Sequence, residues 1–163
     1  MHNQNPLSSA HEDRKFYISW HEFHRDARAL AWNLPKKPWT GIVAIARGGL
    51  IPATIVAREL GINLIETICL SSYDDATDQQ KKLSIIKSLP PQSGENWLVI
   101  DDLIDSGATI QAVRAIMPQA HYASVYAKSL GKEFIDTFVT EINAWIVFPW
   151  EMDLDTLRNL GRF

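Results

Sequence analysis

The sequence predicts an α/β fold: a mainly parallel, twisted sheet with helices on both faces. Two observations predict it. Apolar runs without polar alternation recur at 41–46, 63–70, 97–100, 121–127 and 144–148, as strands buried on both faces require. Stretches with a helical apolar period fall between several of them, so strands and helices alternate. The 163 residues suit one domain of ordinary size. Residues 1–14 read as a flexible polar lead and 15–163 as a single domain.

Ser19 and Glu22 have the spacing of a capping box. The helix they start runs to about Asn33, with Phe23, Ala27, Leu30 and Ala31 on its apolar face, and Pro35 and Pro38 end it. The strand at 41–46 leads into an Arg47-Gly48-Gly49 turn. Pro52 suits the first turn of the next helix, which ends at Gly61. After the strand at 63–70, residues 71–82 are polar and aperiodic, and read as a mobile functional loop. The strand at 97–100 is followed by Asp101-Asp102 and by a helix over 108–117. Two further strands follow, at 121–127 and 144–148.

Composition narrows the function. Residues are 46% apolar and 21% charged, so a full core forms without staples. The net charge of −3 supplies no global field for nucleic acid or anionic lipid, so a polyanionic ligand needs a local site. The single cysteine, Cys69, lies in an apolar run and suits a reducing cytoplasm. No secretory signal precedes residue 15 and no apolar stretch is long enough to span a bilayer. His21-Glu22-Phe23-His24 is no zinc motif, because its histidines are three apart rather than four.

The chemistry gathers at residues 98–109. A buried strand delivers Asp101 and Asp102, then Leu103, Ile104 and Asp105, then the small-residue turn Ser106-Gly107-Ala108-Thr109 into a helix. The turn would aim backbone N–H groups and two hydroxyls at one point, which suits a phosphate. The carboxylates repel phosphate and suit sugar hydroxyls, a divalent cation or a proton donor. A ribose 5-phosphate bearing a pyrophosphate satisfies all three. The duller reading is a capped helix start with solvated acids, and three carboxylates in five residues after a buried strand argue against it. A receiver-type phosphoacceptor site would need a further aspartate ending another apolar strand.

These residues resemble the phosphoribosyl-pyrophosphate motif of type I phosphoribosyltransferases, and from about Lys15 to Trp150 the chain is similar to the family's bacterial branch that salvages 6-oxopurines. The branch usually reads Thr-Gly-Gly-Thr where this chain has Ser106-Gly107-Ala108-Thr109. Ala108 is compatible only with negative φ. The resemblance implies a small base-binding hood on the fold, Mg²⁺ as cofactor with Asp102 as its ligand, and a homo-oligomer, a tetramer. It also implies a cytoplasmic location, with peripheral contact to the inner membrane's cytoplasmic face as a family trait that the composition does not support.

The resemblance further implies site roles. Arg47 and Gly48 form the pyrophosphate loop, with a cis peptide expected between them. A mobile loop supplies a cation, matched to Lys81 with Lys82 adjacent. Lys128 meets the 6-oxo group, Trp145 stacks on the purine, and the backbone at Ile146 reaches its 2-position. Glu151 replaces an aspartate usual after Pro149-Trp150. Asp105 is the candidate proton acceptor or hydrogen-bond partner at purine N7. The implied reaction makes a nucleoside 5′-monophosphate and pyrophosphate from guanine, xanthine or hypoxanthine. Two other readings compete: a non-catalytic sensor of phosphoribosyl pyrophosphate, which would need a basic nucleic-acid face, and transfer to another nucleobase, which Lys128 with Trp145 disfavours.

Overall fold

A computed structural model describes residues 15–73, 82–87 and 94–151. In chain order the elements are β1 (Lys15–Tyr17), α1 (Trp20–Asn33), β2 (Gly41–Ala46), α2 (Leu50–Leu60), β3 (Ile65–Tyr73), β4 (Lys82–Lys87), β5 (Trp97–Ile104), α3 (Ala108–Arg114), β6 (His121–Ala127), β7 (Thr137–Glu141) and β8 (Trp145–Val147). Six strands form one sheet in the order β4-β3-β2-β5-β6-β7, and β1 with β8 forms a second. All pairs are parallel except β3 with β4.

The predicted layers are present. On β2, β5 and β6, residues Ile42, Ala44, Leu98, Ile100, Ala123 and Val125 pack in one core with α1 and α2. Their neighbours Val43, Ile45, Val99 and Tyr122 pack in a second core with Ile110 and Val113 of α3. Each strand therefore buries both pleat faces, which is why it carries no polar alternation. Phe23, Ala27 and Leu30 of α1 are fully buried. Burial of each large apolar side chain contributes about 1.5–3 kcal/mol. The capping box starts α1, with the Glu22 N–H donating to Ser19 Oγ and the Ser19 N–H donating to Glu22 Oε2. Gly61 ends α2 in the left-handed region at φ 68°.

Several boundaries differ from the sequence reading. Residues 71–73 belong to β3 and Lys82 begins β4, so the expected loop over 71–82 is shorter. Its remainder, including Lys81, lies outside the described residues, as does the lead at 1–14. β5 continues past Ile100 to Ile104, because pairing with β6 extends to Ile104↔Ala127 after pairing with β2 stops at Ala44↔Ile100. The helix expected to reach Met117 ends at Arg114, as Pro118 approaches. β1, β4 and β7 are short strands or polar edge strands that the apolar-run criterion passes over.

The chain leaves β2 toward β3 and β4 on one side and returns to β5, β6 and β7 on the other. Strand order thus reverses between β2 and β5, and a crevice beyond their carboxyl ends is where open α/β sheets bind ligands. Arg47 and Asp101 emerge there.

Candidate active site

The β2 turn and the end of β5 meet directly. A Cβ placed on Gly48 would lie 2.3 Å from the Asp102 carboxylate, and one on Gly49 would lie 2.3 Å from the Ile100 carbonyl oxygen. Only glycine lets this turn close onto β5. The turn is held by the Gly49 N–H donating to Ile45 O at 2.9 Å and the Leu50 N–H donating to Arg47 O at 3.2 Å. The cis peptide is Ala46–Arg47, one bond before the expected Arg47–Gly48 position; β2 gives way to the turn already at Ala46. Arg47 is exposed and has no carboxylate partner among the described residues.

Asp101 and Asp102 are strand residues rather than loop residues, and they differ in environment. Asp101 is buried at 9% exposure. Burial, reinforced by the Asp102 charge, holds its carboxyl well above the usual carboxylate range. Burial also raises Asp102, against a hydrogen bond that its Oδ1 accepts from the Leu103 N–H at 2.8 Å. Neither acid has a cationic partner among the described residues. Buried carboxylates without a protein cation are costly on their own and gain from an external cation or a hydroxyl donor.

The turn at 106–109 has the conformation its sequence requires. Gly107 stands at φ 82°, and a Cβ there would lie 2.2 Å from the Phe134 ring. Ala108 is the first residue of α3, so the departure from two glycines costs no strain. Asp101, Leu103, Ile104, Asp105 and residues 106–110 line a cavity of about 100 Å³. α3 has only seven residues. A helix this short adds little dipole at the turn.

Two of the predicted base contacts and the candidate acid separate into neighbouring parts. Lys128 Nζ donates to Asp105 Oδ2 at 3.2 Å. The Lys128 N–H also donates to Ile104 O at 2.8 Å, tying the ends of β5 and β6. Trp145 is 61% exposed and Ile146 is buried. Trp145, Tyr17, Trp20, Val147 and Glu151 share a second cavity of about 720 Å³, whose lining does not include Asp105 or Lys128. The Glu151 charge adds a smaller upward push to that of burial on Asp102. Trp150 is an anchor: it stacks on Phe148 at 4.6 Å and meets Phe23 edge-on at 4.7 Å, fixing the segment after β8 against α1.

No group of three or more metal-ligating side chains gathers among the described residues. Mg²⁺ is ordinarily held by one or two carboxylates and completed by substrate oxygens. Asp101 and Asp102 fit that donor set.

The family model for the phosphoribosyl transferase domain matches residues 17–156. The chain belongs to this family. Phosphoribosyltransferases are glycosyl-transferring enzymes, and the parallel sheet with its β2–β5 crevice is the type I form of their fold. The chain is 49% identical over 154 residues to the xanthine-guanine phosphoribosyltransferase of Nitratidesulfovibrio vulgaris (strain DP4), covering 91% of this chain and 92% of that protein. A purine phosphoribosyltransferase from Pyrococcus horikoshii is 28% identical at a TM-score of 0.76, over 85% of this chain and 95% of the other. The Helicobacter pylori xanthine-guanine-hypoxanthine phosphoribosyltransferase, 24% identical, shares the fold at a TM-score of 0.75 over 90% and 99% of the two chains.

This phosphoribosyltransferase also uses residues that sequence reasoning misses. Phe134 closes the underside of the Gly107 turn, and Gly131 packs against the Asp105 carbonyl oxygen, where a Cβ would lie at 2.6 Å. Both follow Lys128 in a segment without periodicity. The only signal is a Gly131 between two apolar strands, which is indistinguishable from an ordinary turn glycine. No helix among the described residues is long and apolar enough to cross a membrane.

Proposed function

We propose that this phosphoribosyltransferase salvages 6-oxopurines, joining guanine, xanthine or hypoxanthine to the ribose of phosphoribosyl pyrophosphate. The observation that carries this reading is the Lys128–Asp105 pair at 3.2 Å. It sets an ammonium donor for a 6-oxo oxygen beside a carboxylate acceptor for N7, next to the turn that suits the ribose phosphate. An adenine amino group in place of the oxygen would face the ammonium donor to donor. The similarity to a xanthine-guanine phosphoribosyltransferase over nearly the whole chain supports the same substrates.

In this reading a purine ring nitrogen attacks C1 of phosphoribosyl pyrophosphate. The C1–nitrogen bond forms, the C1–oxygen bond breaks, and pyrophosphate leaves with the electron pair. Residues 106–109 hold the 5-phosphate through their N–H groups and hydroxyls. Leu103 and Ile104 present backbone to the same ligand. Arg47 and Gly48 meet the pyrophosphate, with Lys81 as the further cation. Asp101 and Asp102 hold the ribose hydroxyls, and Asp102 is the Mg²⁺ ligand. Bound there, Mg²⁺ would neutralise charge on the departing pyrophosphate. Asp105 takes the proton at N7 or holds it by a hydrogen bond. Trp145 stacks on the ring and Ile146 presents backbone to the 2-position. Positioning and fixed electrostatics then supply most of the acceleration.

The unit that does this is residues 15–163, acting in the cytoplasm as a homotetramer. Light scattering on the purified protein measures the oligomer. A steady-state assay with phosphoribosyl pyrophosphate, Mg²⁺ and each purine tests the function. Turnover of at least one 6-oxopurine is expected, and its absence with all three overturns the reading.

A further inference from the structure

Glu141 ends β7 at the surface and accepts hydrogen bonds from three side chains. Ser129 Oγ donates to its Oε1. Asn143 Nδ2 donates to the same oxygen at 3.1 Å, and Lys132 Nζ donates to Oε2 at 2.9 Å. Asn143 Oδ1 in turn accepts from the Ser129 N–H at 2.9 Å.

The positions of these partners matter more than their number. Ser129 directly follows Lys128, and Asn143 stands two residues before Trp145. The N–H groups of Gly131 and Lys132 both donate to Lys128 O at 3.0 Å, so 128–132 is a closed turn that carries Lys128. The sheet itself ties β6 to β7 only as far as Ala127↔Glu141, with the Ile142 N–H donating to Ala127 O at 3.0 Å. Beyond that point the side-chain network joins the Lys128 turn to the segment entering β8. Exposed ion pairs such as Lys132–Glu141 contribute little stability on their own. Three donors converging on one carboxylate, plus a reciprocal bond through Asn143, restrict geometry instead.

We propose that Glu141 is a positioning residue for purine recognition: by clamping Ser129 and Asn143 it fixes Lys128 relative to Trp145, and so sets affinity for the base without touching substrate. This rests on the reading of Lys128 and Trp145 as base contacts. The hydrogen bond from Ser129, then those from Lys132 and Asn143, push the Glu141 carboxyl down to about 2, so the clamp stays charged at working pH. Asp105 stands outside the clamp, immediately after the end of β5 at Ile104.

The test compares Glu141→Ala, Glu141→Gln and Ser129→Ala with Lys128→Met, measuring KM for guanine and for phosphoribosyl pyrophosphate, kcat and the unfolding midpoint. Loss of ground-state base binding alone should raise the guanine KM about tenfold in Glu141→Ala, with kcat and the other KM changed less than about twofold. Glu141→Gln keeps an acceptor for Ser129 and should recover most of that loss. Ser129→Ala, which removes one donor and leaves the sheet intact, should raise the same KM by a smaller factor and serves if Glu141→Ala does not fold. Unchanged guanine KM in Glu141→Ala and Ser129→Ala, while Lys128→Met raises it, overturns the clamp. So does a parallel rise in both KM values with a lowered midpoint, which marks a purely structural tie. A silent Lys128→Met overturns the reading of Lys128 on which the clamp rests.

Discussion

Lys128 Nζ and Asp105 Oδ2 stand 3.2 Å apart although 23 residues separate them in the chain. The Lys128 side chain is 23% exposed and that of Asp105 is 65% exposed. A pair this open to water adds little to stability. In the proposed reading it holds a donor and an acceptor together before the base arrives, which would lower the ordering cost of binding. Asp105→Asn keeps the shape and removes the proton acceptor. Its kcat should fall about 10²-fold, the lower range for a lost general base. KM for phosphoribosyl pyrophosphate and the urea midpoint should stay close to the unsubstituted protein. Steady-state kinetics at saturating phosphoribosyl pyrophosphate check this, and an unchanged kcat removes Asp105 from the proton's path.

Gly48 and Asp102 define the other half of the site. The added methyl of Gly48→Ala would lie 2.3 Å from the Asp102 carboxylate, too close to coexist with it. Either the Arg47-Gly48-Gly49 turn lifts or Asp102 swings away from its bond with the Leu103 N–H. Overpacking of this kind costs about 1–3 kcal/mol. Most of that cost falls on ligand geometry, because the turn sits at the mouth of the crevice. kcat/KM for phosphoribosyl pyrophosphate should drop about 10²-fold, as misplacement by roughly an ångström does elsewhere. Calorimetric titration of phosphoribosyl pyrophosphate with Mg²⁺ should show weakened binding.

How legible was this in the sequence? β2 and β6 are readable because both of their faces are buried and every position from Ile42 to Ile45 and from Tyr122 to Ala127 is consequently apolar or small. The capping box of α1 is readable because Ser19 and Glu22 interact within one turn. β7 is not, since its outer residues Thr140 and Glu141 are exposed and its partner β6 lies beyond a turn without pattern. The acidic strand end is readable as carboxylates following a buried strand, yet the last four residues of β5 look like a loop because their pairing depends on β6 alone. Glu141 is invisible for a similar reason. Its network depends on Ser129, which only the fold brings to it.

The turn at 106–109 gives a contrast between adjacent residues. Gly107 needs its φ of 82° and has no room for a Cβ beside Phe134. Ala108 is an ordinary helical residue. Ala108→Gly, which restores the branch's usual residue, should lower stability by at most about 1 kcal/mol and leave KM for phosphoribosyl pyrophosphate unchanged. Gly107→Ala should raise that KM strongly and lower the unfolding midpoint, as the turn and Phe134 are both displaced. Equal behaviour of the two variants would contradict the assignment of the left-handed residue.

His121 makes stability depend on pH. Its Nε2 is 2.8 Å from Thr137 Oγ1, and the Trp39 ring lies 5.7 Å away. Burial lowers its pKa first. Asp136 opposes this, while Lys37 and Arg114 add to the lowering. The unfolded chain takes up its proton near pH 6.5, and the folded protein resists until a lower pH. Above about pH 6.5 both states are neutral and His121 contributes no slope. As pH falls below that value the unfolded state alone gains the proton, so stability is lost until the folded pKa is passed and the loss levels off. His121→Asn can keep a bond to Thr137 and removes the titration. Urea unfolding at about pH 7.5 and about pH 5 should show a larger loss for the histidine protein than for the variant, because carboxylates common to both cancel in the difference. Identical losses would mean that the folded protein protonates His121 as readily as the unfolded chain does.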